Sequence, residues 1–172
     1  KIAGCQVYVA GPEGLGVRRQ DMLALLNFTL PEMKRAFGRM PKRLLIVTGP
    51  DPMWRGGLSA PNSLFIHMDR PLISENGTST LLHELTHTVT GLHAARGDDW
   101  IVEGLAEYYS IELARRAKLL SDKLAHRGVE LLRKRGATVA SLAASASSGA
   151  LTAKAAALFA DLDAEIRQRS GN

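Results

Sequence analysis

The chain of 172 residues has one cysteine, no apolar run near membrane-spanning length and no internal repeat. Each absence excludes something. Cys5 has no partner for an internal disulfide, so the fold is not stapled by one and redox chemistry assigns no compartment. A transmembrane helix needs about 20 consecutive apolar residues, and none is expected here. The first residue is Lys1 rather than Met. The chain is therefore expected to be a processed product or part of a longer one, with any targeting segment removed. "IAGC" (2–5) would pass as the end of a bacterial lipoprotein signal, but no apolar stretch precedes it, and Cys5, Val7 and Val9 read as one face of a strand.

What is present describes a folded protein. Apolar residues make up 45% and charged residues 23%, a globular balance at a length that favours one domain over two. The formal charge of +5 is compatible with acidic partners. The basic residues are nevertheless spread over Arg18-Arg19, Arg115-Arg116 and Arg133-Lys134-Arg135, positions that read as solvated helix faces. No nucleic-acid partner is expected.

"CQVYVAG" alternates like a strand and stops at Gly11-Pro12. Residues 18–38 have helical spacing and end near Gly38, with Pro31 expected to break or kink the helix. "RLLIVTG" (43–49) reads as a buried strand, "DPMWRGGLSAPNS" as loop and irregular edge, and "SLFIHMD" (63–69) as a further strand. From Thr78 the period becomes helical, with Thr78 or Ser79 as N-cap and Gly91 as the stop. A second helix follows Asp98-Asp99 and runs through "WIVEGLAEYYSIELARRAKLL"; the remainder is helical with a weak stretch at 141–149. The layout is α+β in one domain, 1–172, strand-rich over 1–75 and helical over 76–172.

Within "LLHELTHTV" (81–89), His83 and His87 lie one turn apart on a helix and can aim at one ion, while Glu84, one step round, can hold a water beside it. A catalytic zinc takes three protein ligands and keeps one position open. Glu103 is the best third ligand, because an antiparallel helix pair would bring it opposite the histidines. Glu107, one turn on, can accept a hydrogen bond from a ligand histidine. Both could instead be exposed carboxylates near Arg115 and Arg116. Against that, Gly104 and Ala106 suit close helix contact, and Trp100, Ile101 and Leu105 point to a buried helix.

"HELTH" followed by "WIVEGLAEYYS" resembles the gluzincin clan of zinc peptidases, closest to the branch of the aminopeptidases and glycyl aminopeptidase-like (peptidase MA-like) proteins. The resemblance implies Zn2+ on His83, His87 and Glu103, Glu84 as general base, and a thermolysin-like minimal catalytic domain. In that domain a small mixed sheet, with an edge strand lining the cleft, precedes the active-site helix, the second ligand helix and further helices. Fifteen residues, Thr88 to Val102, separate the two motifs, a shorter spacing than in the aminopeptidases and consistent with a tight loop around Gly97. "GGLSAPNSLFIHMD" (56–69) stands where the aminopeptidases have G-A-M-E-N and then the edge that pairs with substrate. This implies substrate-binding roles for Gly56, Gly57, Leu58, Ser59 and Ala60. Ser59 replaces the glutamate that holds a free α-amine, which disfavours amino-terminal trimming.

In the last helix Lys154 matches the Y-x-K-G pattern of these families, but Thr152 stands where the oxyanion-binding tyrosine belongs. Tyr8, Tyr108, Tyr109 and His126 are candidates to replace it, with packing the expected role of Tyr108 and Tyr109. His67 either lines the cleft or points outward, and His93 is a loop residue. Two functions follow: a zinc peptidase acting on peptide or protein substrates, as an endopeptidase rather than an aminopeptidase, or a zinc-bound peptide-binding module of the same fold with weak or no catalysis. The resemblance implies an exported or periplasmic bacterial protein.

Overall fold

Alternating apolar residues form β1 (Gln6–Ala10) and β2 (Arg43–Gly49), and helical spacing between them forms α1 (Arg19–Phe37). The computed structural model describes residues 1–143 and 148–171. After β2 come β3 (Gly57–Ala60), β4 (Ser63–His67), α2 (Thr80–Thr90), α3 (Asp99–Arg116), α4 (Asp122–Gly136) and α5 (Gly149–Ser170). The architecture is α+β, as expected. None of the described helices is long and apolar enough to cross a membrane.

The sheet has the order β1-β2-β4-β3. β1, β2 and β4 run parallel, and β3 is antiparallel to β4, so the sheet is mixed. Leu44 and Ile46 of β2 and Leu64 and Ile66 of β4 are buried, sharing the core with Leu26, Leu30 and Met33 of α1 and Leu81, Leu82 and Leu85 of α2. On the other face Tyr8, Leu45, Val47 and Leu58 are exposed. The segment 43–49 was expected to be buried, yet it is buried on one side only, because the described helices pack on a single face.

Three further expectations change. Pro31 lies inside α1, which runs unbroken to Gly38. The carbonyl that loses its helical donor belongs to Asn27 on the exposed side, while Leu26, Leu30 and Met33 anchor the helix in the core. The edge strand is β3, inside the segment read as loop and irregular edge, and β4, which stops at His67, is interior. α3 stops at Arg116, before Leu120, and Lys118 takes a positive φ of 61°. Of the weak stretch at 141–149, residues 144–147 lie outside the described residues, and Gly149 already belongs to α5.

Helix ends near the cleft are set by caps. Ser79 accepts from the Leu82 N–H at 3.2 Å and starts α2, and Gly91, at φ 59°, ends it in the left-handed region that favours glycine. Ser121 and Ser148 cap α4 and α5 in the same way. α5 buries Ala153, Ala155, Ala156 and Ala157, which lets it approach α3 closely: a Cβ on Gly104 would collide with Ala155.

Candidate metal centre

α2 turns one side, with Leu81, Leu82, Leu85 and Val89, into the core, and leaves His83, Glu84 and His87 half-buried. Its threonines do not unwind it, because Thr86, Thr88 and Thr90 donate to the carbonyls of Leu82, Glu84 and Thr86 one turn back. α3 packs across α2 and brings Glu103 and Glu107 to the histidines. Gly104 and Ala106 are both buried, Gly104 against Ala155 of α5, and Trp100 stacks on Phe159 of the same helix. Ile101 departs from expectation and is exposed at the start of the helix. Arg115 and Arg116 pair with Glu112, so Glu103 and Glu107 are free of them.

Three donor groups converge. His83 Nε2 lies 3.2 Å from His87 Nε2 and 3.2 Å from Glu103 Oε2, and His87 Nε2 lies 3.5 Å from Glu103 Oε1. Zinc–ligand bonds of about 2.0–2.2 Å at tetrahedral angles set neighbouring ligand atoms roughly 3.3–3.6 Å apart. The donors therefore already stand at about the separations a tetrahedral ion requires. On the other ring nitrogen, His83 Nδ1 and Glu107 Oε2 are 2.9 Å apart, the partner that orients a ligand ring.

The electrostatics favour positive charge here. Burial opposes a charged His83, but Glu103 and Glu107 on its two nitrogens outweigh burial and raise its pKa to about 10. The histidines hold the Glu103 carboxyl well below its usual range. Glu84 moves the other way. Burial raises its pKa, the charges of His83 and His87 and the Ser59 hydroxyl oppose the rise, and the net shift is upward. Such a carboxylate is a stronger base than one in water.

A cavity of about 570 Å³ opens on this cluster, lined by His83, Glu84, Glu103 and Glu107. Gly56 and Gly57 line it too. A Cβ on Gly57 would stand 2.5 Å from Glu84 Cγ, so the glycine makes room for that side chain. Strand alternation turns Gly57 and Ser59 to the Glu84 side, opposite Ile66 and Leu64 of β4. Leu58 and Ala60 face the other way and, with Ser59, do not line the cavity.

Thr152 lines the cavity, while Lys154 donates to the Val139 carbonyl at 2.5 Å. None of the proposed replacements for the tyrosine is there. Tyr108 donates to Asp163 at 2.7 Å and borders a second cavity together with His126, Tyr109 packs on Phe37, and Tyr8 lies on β1 at the far edge of the sheet. His93 is in the loop after α2, as expected.

His67 neither lines the cleft nor points outward. It is 1% exposed, on the sheet face of Phe65, with Nδ1 accepting from the Asp69 N–H at 3.3 Å and Nε2 3.4 Å from Asp51 Oδ1. Asp51, His67 and Asp69 form a second group of ligand type, but Arg55 already grips both oxygens of Asp51.

Sequence reasoning missed Arg70, Arg135 and Trp54, which also line the cavity. Nothing local marks them, since each is brought there by a loop or by the crossing of α4 and α5. No family model matches the chain and no curated protein matches it significantly, so the gluzincin resemblance rests on the motif residues and their geometry.

Proposed function

We propose that this chain is a zinc-dependent peptidase of the gluzincin type, cutting within peptides rather than trimming amino termini. One observation carries the reading: His83, His87 and Glu103, from two helices, present their ligand atoms to one point, with Glu84 beside it in a cleft. Two imidazoles and a carboxylate suit zinc, and the site's preference for positive charge suits a cation.

His83, His87 and Glu103 would hold the ion, and Glu107 would fix the His83 ring. Bound there, zinc would supply Lewis acidity, lowering the pKa of a water at the open position to about 7 and polarising a carbonyl. Glu84 takes the proton of the attacking water and later returns it to the leaving amine. The free edge of β3 offers backbone hydrogen bonds to an extended peptide. Ser59 carries no charge to hold a terminal amine, which supports internal cleavage.

Thr152 favours a second reading, a peptide-binding module with weak or no catalysis, because its hydroxyl is shorter than a phenol and no tyrosine lines the cavity. Metal analysis and a peptide-library assay test both. The wild type should retain one equivalent of zinc, and His83→Ala and Glu103→Ala should lose it. Glu84→Gln should keep zinc and lose roughly 10²–10⁴-fold in cleavage rate. Zinc without cleavage leaves the binding module; a folded wild type that takes up no zinc overturns both readings.

A further inference from the structure

Arg70 and Arg135 border the cavity of the candidate centre from different walls. Arg70 follows β4 and donates to the Thr80 hydroxyl at the start of α2, at 3.1 and 3.3 Å. Arg135 lies in the last turn of α4 against the first residue of α5, where a Cβ on Gly149 would meet its guanidinium. Glu84, Glu103 and Glu107 line the same cavity, yet among the described residues neither arginine comes within 4.0 Å of a carboxylate oxygen. Elsewhere this chain behaves differently. Arg115, Arg133 and Arg167, which line the second cavity, each have a carboxylate within 3.0 Å.

A guanidinium presents five donors in a planar fork matched to a carboxylate. The Thr80 hydroxyl occupies part of the Arg70 fork, and no side-chain partner among the described residues occupies that of Arg135. Glu103 and Glu107 are committed to the histidines, so these two cations are left to meet whatever enters. We propose that Arg70 and Arg135 select peptides that carry a carboxylate near the bound segment, as an acidic side chain or as the C-terminal carboxylate. This deepens the peptidase reading and rests on it for the peptide nature of the ligand. It does not require turnover.

Binding tests it without cleavage. Trp54, 65% exposed and lining the cavity, reports peptide binding by its fluorescence, with Trp54→Phe as control. The Glu84→Gln protein, incubated with zinc, is titrated with a hexapeptide containing glutamate, its glutamine counterpart, and both again with amidated C-termini. The carboxylate form should bind about tenfold more tightly, and Arg70→Ala and Arg135→Ala should each remove about tenfold and flatten the discrimination. Preference lost on the glutamine exchange assigns the side chain; preference lost on amidation assigns the C-terminus. Equal binding of all four peptides, or no binding of any at millimolar concentration, overturns the proposal. Neutral peptides cleaved as well as acidic ones by the wild type would leave the peptidase reading standing without this inference. Arginine-dependent acidic binding without zinc uptake would do the reverse.

Discussion

α3 borders two cavities, one with each half, and treats charge differently in each. Its first half places Glu103 and Glu107 in a cleft where they face histidines and where, among the described residues, Arg70 and Arg135 pair with no carboxylate. Its second half places Glu112 in a cavity of about 450 Å³ where Arg115, Arg116 and Arg167 all reach its carboxylate, at 2.6–2.7 Å. In the second cavity charge is neutralised by the chain itself, and the product is stability. In the first, two histidines and a glutamate face one another, and among the described residues neither arginine has a carboxylate partner. The difference separates two kinds of charged cluster that look alike in a sequence.

The comparison can be broken at Glu112. It is 5% exposed, and its pKa falls from 4.5 to about 2, because the hydrogen bonds and charges of Arg115 and Arg116 outweigh burial, which raises it. A folded pKa below the unfolded one gives stability that is present above pH 4.5 and is lost as pH falls through about 2. Glu112→Gln should therefore lose about 3 kcal/mol at neutral pH, and the gap should close near pH 2. Urea unfolding at the two pH values measures this, and peptide cleavage by the folded variant should not change. An equally stable variant at pH 7 would remove Glu112 from the stabilising side.

Glu107 sharpens the other side. Glu107→Gln keeps the shape but weakens the hold on His83 Nδ1, and zinc affinity should fall about 10–100-fold in chelator competition. The loss of stability should be small beside that of Glu112→Gln. A variant that unfolds but binds zinc normally would reverse the assignment. The smallest effect belongs to Asp161. Its pair with Arg133, at 2.8 Å, is about half exposed on both sides, so Asp161→Ala should change stability by roughly 0–1 kcal/mol. A larger loss would mean that the second cavity depends on its rim as well as on Glu112.

Much of the fold and part of the site were legible in the sequence, for local reasons. Ser79 and Gly91 bound α2, because a side-chain acceptor and a left-handed glycine act within one turn of the helix end. The spacing of His83 and His87 follows from helix geometry, and Glu103 was found because a short loop between helices forces them to be neighbours. Pro31 misled because the local rule was overridden by the buried contacts of Leu30 and Met33. β3 was read only as loop and irregular edge because four residues containing Gly57 carry no alternating pattern, and pairing with β4 makes them a strand.

By itself, then, the sequence determined the capped helices, their order after the strands, and the two histidines that share one helical face. All of these depend on interactions a few residues long. Only the tertiary structure decided that the irregular edge is a strand paired with β4, that His67 is buried beside Asp51, and which carboxylates of α3 face histidines and which face arginines. It also decided that Arg135, one of three consecutive basic residues, turns into the cleft. Each of these depends on where a distant element passes, and that is set by burying the core as a whole.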